Sequence, residues 1–384
     1  MEPTVSRTQA IVGRDPFAAT FNVGLAVWII GVALIAAAIG ANQTWLDRHF
    51  LPSFFVPRHW YVLIESCVRV AVGAAGTALV FGRTPIARLL TRAPMMTVQV
   101  GVAAVFAIAA GEFAISRIHL RPTEWLLAAE EPRRQEDAQL GWILVPGRTG
   151  RGIAGGRTVE YAIDAAGYRV RRVDEPVDRD RPTVVFGGES VMFGEGLTWD
   201  ESIPARVGAL VGIQSANMAV HGYSTDQMYM RLARELPHFR QPLAIVAIFM
   251  TELFGRNLDD DRPHLAPGLV WQPAEQASRL VALAALLVPY RRDTTVEQGL
   301  RVTREALAAI VQLAHARGAT AVVVAPQFGS EDNAQRALRE RILTADIPHL
   351  VVPLDPGWRL PWDRHPNAQA TAAIAHAIAL RLRP

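Results

Sequence analysis

Residues 182–196, PTVVFGGESVMFGEG, join a short β-branched run to two glycines and then to a serine. Such a run predicts a buried strand, and the glycines allow the backbone to turn tightly behind it. Ser190 then stands at the carboxyl end of the predicted strand, where the sites of parallel α/β sheets gather. A serine hydroxyl is a weak nucleophile until a base accepts its proton. Ser190 can therefore act as a nucleophile only if another part of the chain supplies that base.

The chain after residue 181 alternates apolar strand patterns with amphipathic helix patterns. The run LAIVAIFM at residues 243–250 is apolar throughout, which is typical of a parallel strand that is covered on both faces. This alternation predicts an α/β domain with a doubly wound parallel sheet. The predicted strands are residues 183–186, 214–220, 243–250, 320–326 and 349–354, and the predicted helices are residues 202–211, 226–236, 295–317, 331–343 and 367–382.

The base that Ser190 requires is offered near the end of the chain, in PWDRHPNAQA at residues 361–370. His365 follows the last predicted strand, and Asp363 lies two residues before it. A carboxylate at this spacing can hold the imidazole in one tautomer, so that the histidine can accept a serine proton. An Asp-x-His triplet alone is a weak signal. In the last loop of the same predicted sheet, it completes the set that Ser190 needs.

Taken in this order, the blocks resemble the SGNH (GDSL-type) hydrolases, a resemblance that covers residues 182–384. The family's Gly-Asp-Ser block corresponds to Gly188, Glu189 and Ser190, and its last block corresponds to Asp363 and His365. NMAVHGYSTDQ at residues 217–227 resembles the second block, which implies that the Gly222 N–H binds an oxyanion and that Asn217 is the family's asparagine. LGWILVP, YAIDAAGYRV and FGEGLTWDESIPARV resemble the variety of the family that is tethered by amino-terminal membrane helices.

Two positions depart from the family's pattern. Glu189 replaces the usual aspartate before the serine. The third block normally supplies an asparagine amide to the oxyanion hole after the third strand, but Thr251 and Glu252 follow here. Asn257 lies too far along the chain to take that place, so the Thr251 hydroxyl is the candidate donor. Loss of one oxyanion donor lowers rates by about 10²–10³, which leaves a slow site, a different acyl chemistry or an inactive site open.

Several other features have simpler explanations. An α/β-hydrolase elbow requires glycine two residues after the serine, and Met192 stands there. His221 is more often a loop residue than a second base. The consecutive acids at 259–261 point in different directions, so we expect no metal, and the acyl chemistry requires no cofactor. Trp358 and Trp362 could line a sugar cleft or cover the edge of the sheet.

The first third of the chain is its most apolar part. Residues 23–41, 60–81 and 97–115 are long enough to cross a hydrocarbon layer of about 30 Å. A signal peptide is the competing interpretation of the first segment, but further spans follow it and no clear small-residue cleavage site precedes them. Three buried helices of a soluble protein are the other alternative. Within the second span, Glu65 and Arg69 stand four apart, a spacing that suits a helical ion pair. Their alternative role, which also involves Glu112, is a polar site for a membrane protein partner or a substrate.

These features divide the chain into a membrane domain at residues 1–120, a linker with a small β element at 121–181, and the SGNH-like domain at 182–384.

The 39 basic residues are all arginine, and they are scattered, which disfavours nucleic-acid binding. Arginines in the amino-terminal tail and in the second loop at residues 82–94 favour a cytoplasmic location for both. Three crossings then place the SGNH-like domain in the periplasm of an inner-membrane protein.

The expected function is a membrane-anchored serine esterase or acyl transferase that acts on an O-acylated envelope glycan or a lipid ester. Ser190 would be the nucleophile, His365 the base and Asp363 its orienting group, with Gly222 and Thr251 at the oxyanion. The alternative is a catalytically silent domain that binds glycan or serves as an assembly subunit of a membrane complex. The lone Cys67 excludes an internal disulfide framework.

Overall fold

The computed structural model describes residues 16–42, 44–45, 58–117, 126, 130–154, 156–275, 278–287, 291–361 and 363–383. The chain divides into two compact units, one of residues 1–46 and 59–115 and the other of residues 47–58 and 116–384.

The first unit contains three long helices, α1 (Pro16–Gly40), α2 (Arg58–Arg92) and α3 (Pro94–Ile115). All three are long and apolar enough to cross a membrane, as predicted. The predicted loop at residues 82–94 is not observed. The chain stays helical through Pro85 to Arg92, and only Ala93 separates α2 from α3. A proline removes one helical hydrogen bond, and membrane helices tolerate this loss because neighbouring groups satisfy the freed carbonyl.

Helices α1 and α2 pack closely through small residues and one arginine. A Cβ atom on Gly31 would come within 2.8 Å of the Gly76 carbonyl oxygen, so only glycine permits this approach. Arg69 lies 3.4 Å from Glu65, which confirms the predicted pair. Its Nε also donates to the Ala38 carbonyl of α1 at 2.9 Å. The arginine therefore ties two helices together as well as neutralising the glutamate.

The second unit is built on an eight-stranded sheet. Five of its strands are β6 (Thr183–Gly187), β7 (Gln214–Asn217), β8 (Pro242–Ile248), β11 (Thr320–Phe328) and β12 (His349–Leu354). They lie in the order β12-β11-β8-β6-β7 and run parallel, so the predicted α/β architecture with a largely parallel sheet is confirmed.

The sheet continues across residue 182, where the sequence analysis placed a domain boundary. Strand β5 (Arg169–Val170) pairs antiparallel with β7 through Arg169 and Asn217. Strands β4 (Arg157–Ile163) and β3 (Arg148–Ala154) then extend the same sheet. A hairpin of β1 (Arg134–Asp137) and β2 (Gly141–Leu144) precedes them. The segment before residue 182 therefore contributes three strands to the main sheet.

Side chains on the parallel strands alternate between two buried clusters. Val184 and Phe186 of β6 belong to one cluster and Val185 to the other, because successive strand residues point to opposite faces. Helices α5 (Ile203–Val211) and α10 (Ala368–Leu382) supply the first cluster. Helices α6 (Thr225–Glu235), α8 (Asp293–Ala316) and α9 (Asn333–Ile342) supply the second.

Several elements were not predicted from the sequence. A one-turn helix α4 (Ser190–Phe193) starts at the serine, and 3-10 turns form at Trp199–Glu201, Leu236–His238 and Thr251–Leu258. Strands β9 (His264–Ala266) and β10 (Val270–Gln272) form a small hairpin, followed by helix α7 (Arg279–Leu287). Their apolar patterns are too short for periodicity to distinguish a helix from a strand.

Candidate active site

The serine turn follows β6 and contains Gly187 and Gly188, both of which lie close to neighbouring side chains. A Cβ atom on Gly188 would lie 2.5 Å from both Ile248 Cγ2 and Met192 Cβ, and a Cβ on Gly187 would lie 2.6 Å from a Leu232 methyl group. Both distances are shorter than carbon–carbon contact. The glycines therefore let the backbone descend between the sheet and the helices, so that Ser190 begins α4 at the strand end.

Glu189 caps α4 and also contacts the serine. One oxygen of its carboxylate, Oε2, accepts from the Val191 N–H at 2.9 Å and from the Ser190 hydroxyl at 2.8 Å. A carboxylate at this position satisfies an orphan N–H of the helix. Glu189 is therefore the N-cap of the one-turn helix that Ser190 begins.

Ser190, His365 and Asp363 form one hydrogen-bonded chain. His365 Nε2 lies 2.8 Å from Ser190 Oγ, and His365 Nδ1 lies 2.5 Å from Asp363 Oδ1. The same Asp363 oxygen accepts from the His365 backbone N–H at 2.8 Å. With Nδ1 held by the carboxylate, Nε2 is left to accept the serine proton. A serine hydroxyl has one proton, which it donates either to His365 or to Glu189.

The loop that carries His365 is fixed by its own backbone. Residues 359 and 366 form an antiparallel bridge, and the Leu360 N–H donates to the His365 carbonyl at 2.8 Å. Glu252, which directly follows Thr251, lies 3.4 Å from Arg359 and 3.8 Å from Arg364. These ion pairs connect the loop after β8 with the loop that holds the histidine, a role of Glu252 that the sequence did not indicate.

The surrounding charges favour an ionised Asp363 and a basic His365. Burial raises the pKa of Asp363, but hydrogen bonds with His365 and its charge outweigh burial and bring that pKa below its ordinary value. Burial lowers the pKa of His365, but the hydrogen bond with Asp363 and the charges of Glu195, Asp363 and Glu189 outweigh it and raise that pKa. A more basic imidazole is a stronger acceptor for the serine proton.

The proposed oxyanion donors lie in the neighbouring loops of the sheet. Gly222 has φ +82°, in the left-handed region that favours glycine. The Val220 N–H of the same loop donates to the Gly188 carbonyl at 3.1 Å, which ties this loop to the serine turn. Thr251 begins the 3-10 turn after β8. Since β7 and β8 both flank β6, Gly222 and Thr251 follow the two strands next to Ser190.

The Gly222 loop is held by Trp142, which precedes the predicted SGNH-like segment, and by Arg262, which lies 40 residues after Gly222. Trp142 Nε1 donates to the His221 carbonyl at 3.1 Å, and the Tyr223 hydroxyl donates to the Trp142 carbonyl at 2.6 Å. Arg262 donates to the Gly222 carbonyl at 2.7 Å. A peptide whose carbonyl accepts such a hydrogen bond has a fixed orientation, and its N–H group is therefore fixed as well.

Asn217 and Asn257 both form side-chain hydrogen bonds within the protein. The Asn217 amide donates to the Phe193 carbonyl at 3.2 Å, which ties β7 to α4. Asn257 donates to the Thr225 and Thr303 hydroxyls at 3.1 and 2.8 Å, and its Oδ1 accepts from the Thr225 N–H. The amide of Asn257 is therefore engaged at the start of α6, consistent with its exclusion as the third-block donor.

Glu195 is the main residue of the site that was not predicted from the sequence. Its Oε2 lies 3.7 Å from His365 Nε2 and 3.5 Å from His221 Nδ1. The only sequence signal is an acid between Gly194 and Gly196 shortly after the serine. His221, which the sequence predicts to be a loop residue, is buried against the Phe193 ring with the centroids 5.6 Å apart.

The remaining sequence candidates lie elsewhere. Asp259 pairs with Arg262 at 3.2 Å and with Arg291 at 2.6 Å, which accounts for one acid of the 259–261 run. Within the described ranges, no three His, Cys, Asp or Glu side chains are placed to hold a metal ion. Trp358 packs against the core, and Trp362 lies outside the described residues.

No protein-family model matches the chain, and no curated protein matches it. Solved structures that are similar to about half of it include the following two. One is a protein from Desulfitobacterium hafniense DCB-2 assigned to the G-D-S-L family of lipolytic proteins, with 14% identity and a TM-score of 0.34, over 52% of this chain and 99% of the other. The second is the acetyl xylan esterase Est2A from the rumen bacterium Butyrivibrio proteoclasticus, with 11% identity and a TM-score of 0.32, over 54% of this chain and 65% of the other.

Proposed function

We propose that the chain is a membrane-anchored serine esterase or acyl transferase of the SGNH kind, with a doubly wound catalytic domain. The observation that carries this proposal is the contact of 2.8 Å between Ser190 Oγ and His365 Nε2, with Asp363 on the other ring nitrogen. This order of nucleophile, base and orienting carboxylate is the arrangement that activates a serine. The doubly wound topology is supported by the order 2-1-3-4-5 of the parallel strands, counted along the chain.

In the proposed reaction, Ser190 Oγ attacks an ester carbonyl while its proton moves to His365 Nε2. Asp363 keeps the imidazole oriented and stabilises its positive charge. The backbone N–H groups of Ser190 and Gly222, with the Thr251 hydroxyl, donate to the oxyanion. His365 then returns the proton to the leaving oxygen as the ester C–O bond breaks. Water or a second hydroxyl resolves the acyl-enzyme, and the product is a free acid or a new ester.

The compartment and the substrate class belong to the same proposal. The helices of the first unit are apolar enough to span a membrane, and the arginine bias favours a periplasmic domain after the third crossing of the inner membrane. An O-acylated envelope glycan or a lipid ester is the acyl-ester substrate that suits this location. A membrane protein partner would contact the helices of the first unit.

The test uses the full-length protein in detergent, exposed to a fluorophosphonate probe and to a short-chain aryl ester. We expect labelling and turnover that disappear in Ser190→Ala and persist in Ser330→Ala, which alters an exposed loop serine. Adding a polyol and measuring the ratio of new ester to free acid separates transfer from hydrolysis. If the folded wild-type protein is neither labelled nor active, the esterase proposal fails and the silent glycan-binding or assembly domain replaces it.

A further inference from the structure

A second carboxylate, that of Glu195, faces His365 Nε2, the nitrogen that contacts Ser190 Oγ. Glu195 Oε2 lies 3.7 Å from His365 Nε2, on the ring edge opposite Asp363. The side chain of Glu195 is 28% exposed, whereas that of His365 is only 9% exposed. The carboxylate therefore borders the space in which the serine proton is transferred, and solvent reaches it from one side.

The backbone of Glu195 is fixed from two directions. Its N–H donates to the Ser190 carbonyl at 3.0 Å, and the next N–H, that of Gly196, donates to the Tyr161 hydroxyl at 2.9 Å. The glycines on either side have φ +85° and +73°, a conformation that suits a tight turn. The position of the carboxylate therefore follows from the serine turn itself rather than from a free loop.

His221 holds the carboxylate on its other side. Its Nδ1 lies 3.5 Å from Glu195 Oε2, and its ring is packed on Phe193. Only 5% of His221 is exposed, and its buried Nε2 has no hydrogen-bond partner among the described residues. The imidazole is thus locked by packing with its Nδ1 toward Glu195, which restricts the directions in which the carboxylate can turn.

Glu195 keeps its negative charge across the range in which His365 titrates. Burial raises the pKa of Glu195, but the hydrogen bond with His221 and the charges of His221, His365 and Arg134 outweigh burial and lower that pKa to about 2. Arg256 and Arg169 also interact electrostatically with this carboxylate. These three arginines favour its ionised form.

Three carboxylates surround His365, each from a different position. Asp363 contacts Nδ1 from the same loop, Glu189 lies in the serine turn, and Glu195 follows α4 near Nε2. Glu189 already accepts hydrogen bonds from Ser190 and Val191. Among the three, Glu195 is the carboxylate near Nε2 that accepts no hydrogen bond from the serine turn.

We propose that Glu195 is a positioning residue for proton transfer between Ser190 and His365, stabilising the imidazolium and setting the pH below which the site is inactive. This inference rests on the proposed function. As the Ser190 Oγ–carbon bond forms, the carbonyl electron pair moves to the oxygen and the serine proton moves to His365 Nε2. Glu195 neither gains nor loses a proton, and its charge faces the new N–H. The proton leaves with the alcohol oxygen when the acyl-enzyme forms.

The position of Glu195 near Nε2 determines how its charge changes the protonation of His365. A negative charge near Nε2 favours the imidazolium, so His365 becomes a neutral base only at higher pH, but it is then a stronger base. Replacing the charge with an amide should have two opposite effects. The acid limb of the rate profile should move to lower pH, whereas the rate on the alkaline plateau should fall about tenfold.

The experiment compares wild type, Glu195→Gln, Glu195→Asp and the matched control Glu160→Gln, an exposed glutamate of β4, as full-length proteins in detergent. The rate of fluorophosphonate labelling and kcat/KM for the aryl ester are measured across pH. We expect the two profiles of wild type and Glu195→Gln to cross, the aspartate variant to return toward wild type, and the control to match it. Parallel profiles would overturn the inference, because a purely structural effect lowers the rate equally at every pH.

A second readout does not depend on activity. NMR of labelled histidine in the Ser190→Ala background, with His365→Gln to identify the signal, follows the titration of His365 directly. We expect that titration to move to lower pH when Glu195→Gln is added, and an unchanged titration would overturn the inference. If the wild-type protein is never labelled but the titration moves, the proposed function fails while the coupling between Glu195 and His365 stands.

Discussion

The indole of Trp142 donates a hydrogen bond to the His221 carbonyl at 3.1 Å, although 79 residues separate the two in the chain. Trp142 belongs to β2, in the segment before the serine strand, and His221 directly precedes Gly222. The tryptophan is fully buried, so this contact is shielded from solvent. A part of the chain that looked like a linker therefore sets the conformation of the loop that carries the proposed oxyanion donor.

The first prediction concerns Gly222→Ala. Alanine at φ +82° is strained by about 1 kcal/mol, and its Cβ would come 3.1 Å from Trp142 Cζ2. The matched control is Gly147→Ala, where φ is +65° and no heavy atom lies within 4 Å of the added carbon. We expect both variants to lower the thermal midpoint, but only Gly222→Ala to lower aryl-ester turnover, by about 10². Equal turnover in the two variants would remove Gly222 from the oxyanion site.

The second prediction concerns Arg169, which is fully buried behind the serine turn. Its guanidinium donates to the carbonyls of Phe193, Gly194 and Leu197 at 2.6, 2.7 and 2.6 Å. A lysine keeps the charge but cannot reproduce the planar fork that spans three carbonyls. We expect Arg169→Lys to destabilise the protein by about 3 kcal/mol and to slow probe labelling.

Thermal unfolding and labelling rates check this prediction, with Arg151→Lys as the control because the Arg151 side chain is 75% exposed. An Arg169→Lys protein as stable as that control would mean that the carbonyls of the serine turn are satisfied without the guanidinium.

The sequence was sufficient to predict the three residues of the hydrogen-bonded chain, for a physical reason. Ser190 follows β6 after two glycines, and Asp363 and His365 lie in the segment that joins β12 to α10; parallel strands bring their carboxyl ends to one edge. Each loop also carries a local pattern, with glycines before the serine and an acid two residues before the histidine. Local pattern and topology therefore agreed, and the structure brings these side chains within hydrogen-bond distance.

The residues that support the site could not be predicted in this way. Trp142 and Arg169 act through backbone carbonyls that are 79 and about 25 residues distant, and a buried donor leaves no periodic mark in a sequence. Glu195 was missed because an acid between two glycines is typical of an exposed turn. The domain boundary at residue 182 was placed at a change in composition, whereas β5 joins the sheet through its pairing with β7, a long-range register that composition does not encode.

The third prediction follows from that pairing and concerns truncation. A chain that begins at residue 182 lacks β3, β4 and β5, together with the buried side chains of Trp142 and Tyr161. Each such side chain contributes about 1.5–3 kcal/mol of burial, and the loss of β5 exposes the edge of β7. We expect this fragment to aggregate, and a fragment that begins at residue 130 to be a folded monomer.

Size-exclusion chromatography and circular dichroism distinguish the two fragments. If the shorter fragment were monomeric with a native α/β spectrum, the strands before residue 182 would be an appendage rather than part of the folding unit.

The last prediction concerns the pH dependence of stability at Asp226, near the start of α6. Burial raises the pKa of Asp226 from 3.8 to about 6, although the Leu265 N–H and the charges of His264 and Arg262 oppose this rise. The folded state therefore holds a proton that the unfolded state has released between these two values, so stability falls as pH rises through this window. Above it, the penalty amounts to about 3 kcal/mol.

Asparagine cannot ionise, so Asp226→Asn avoids this penalty. Its amide oxygen can still accept from the Leu265 N–H, which now donates to the Asp226 carboxylate at 2.9 Å. We expect the variant to gain stability relative to wild type as pH rises from about 4 to about 7, measured as the difference between thermal midpoints. Asp200→Asn, at a side chain 65% exposed, is the control. A difference between wild type and Asp226→Asn that does not change with pH would show that Asp226 is already charged below this window, with its burial cost met by neighbours in the folded protein.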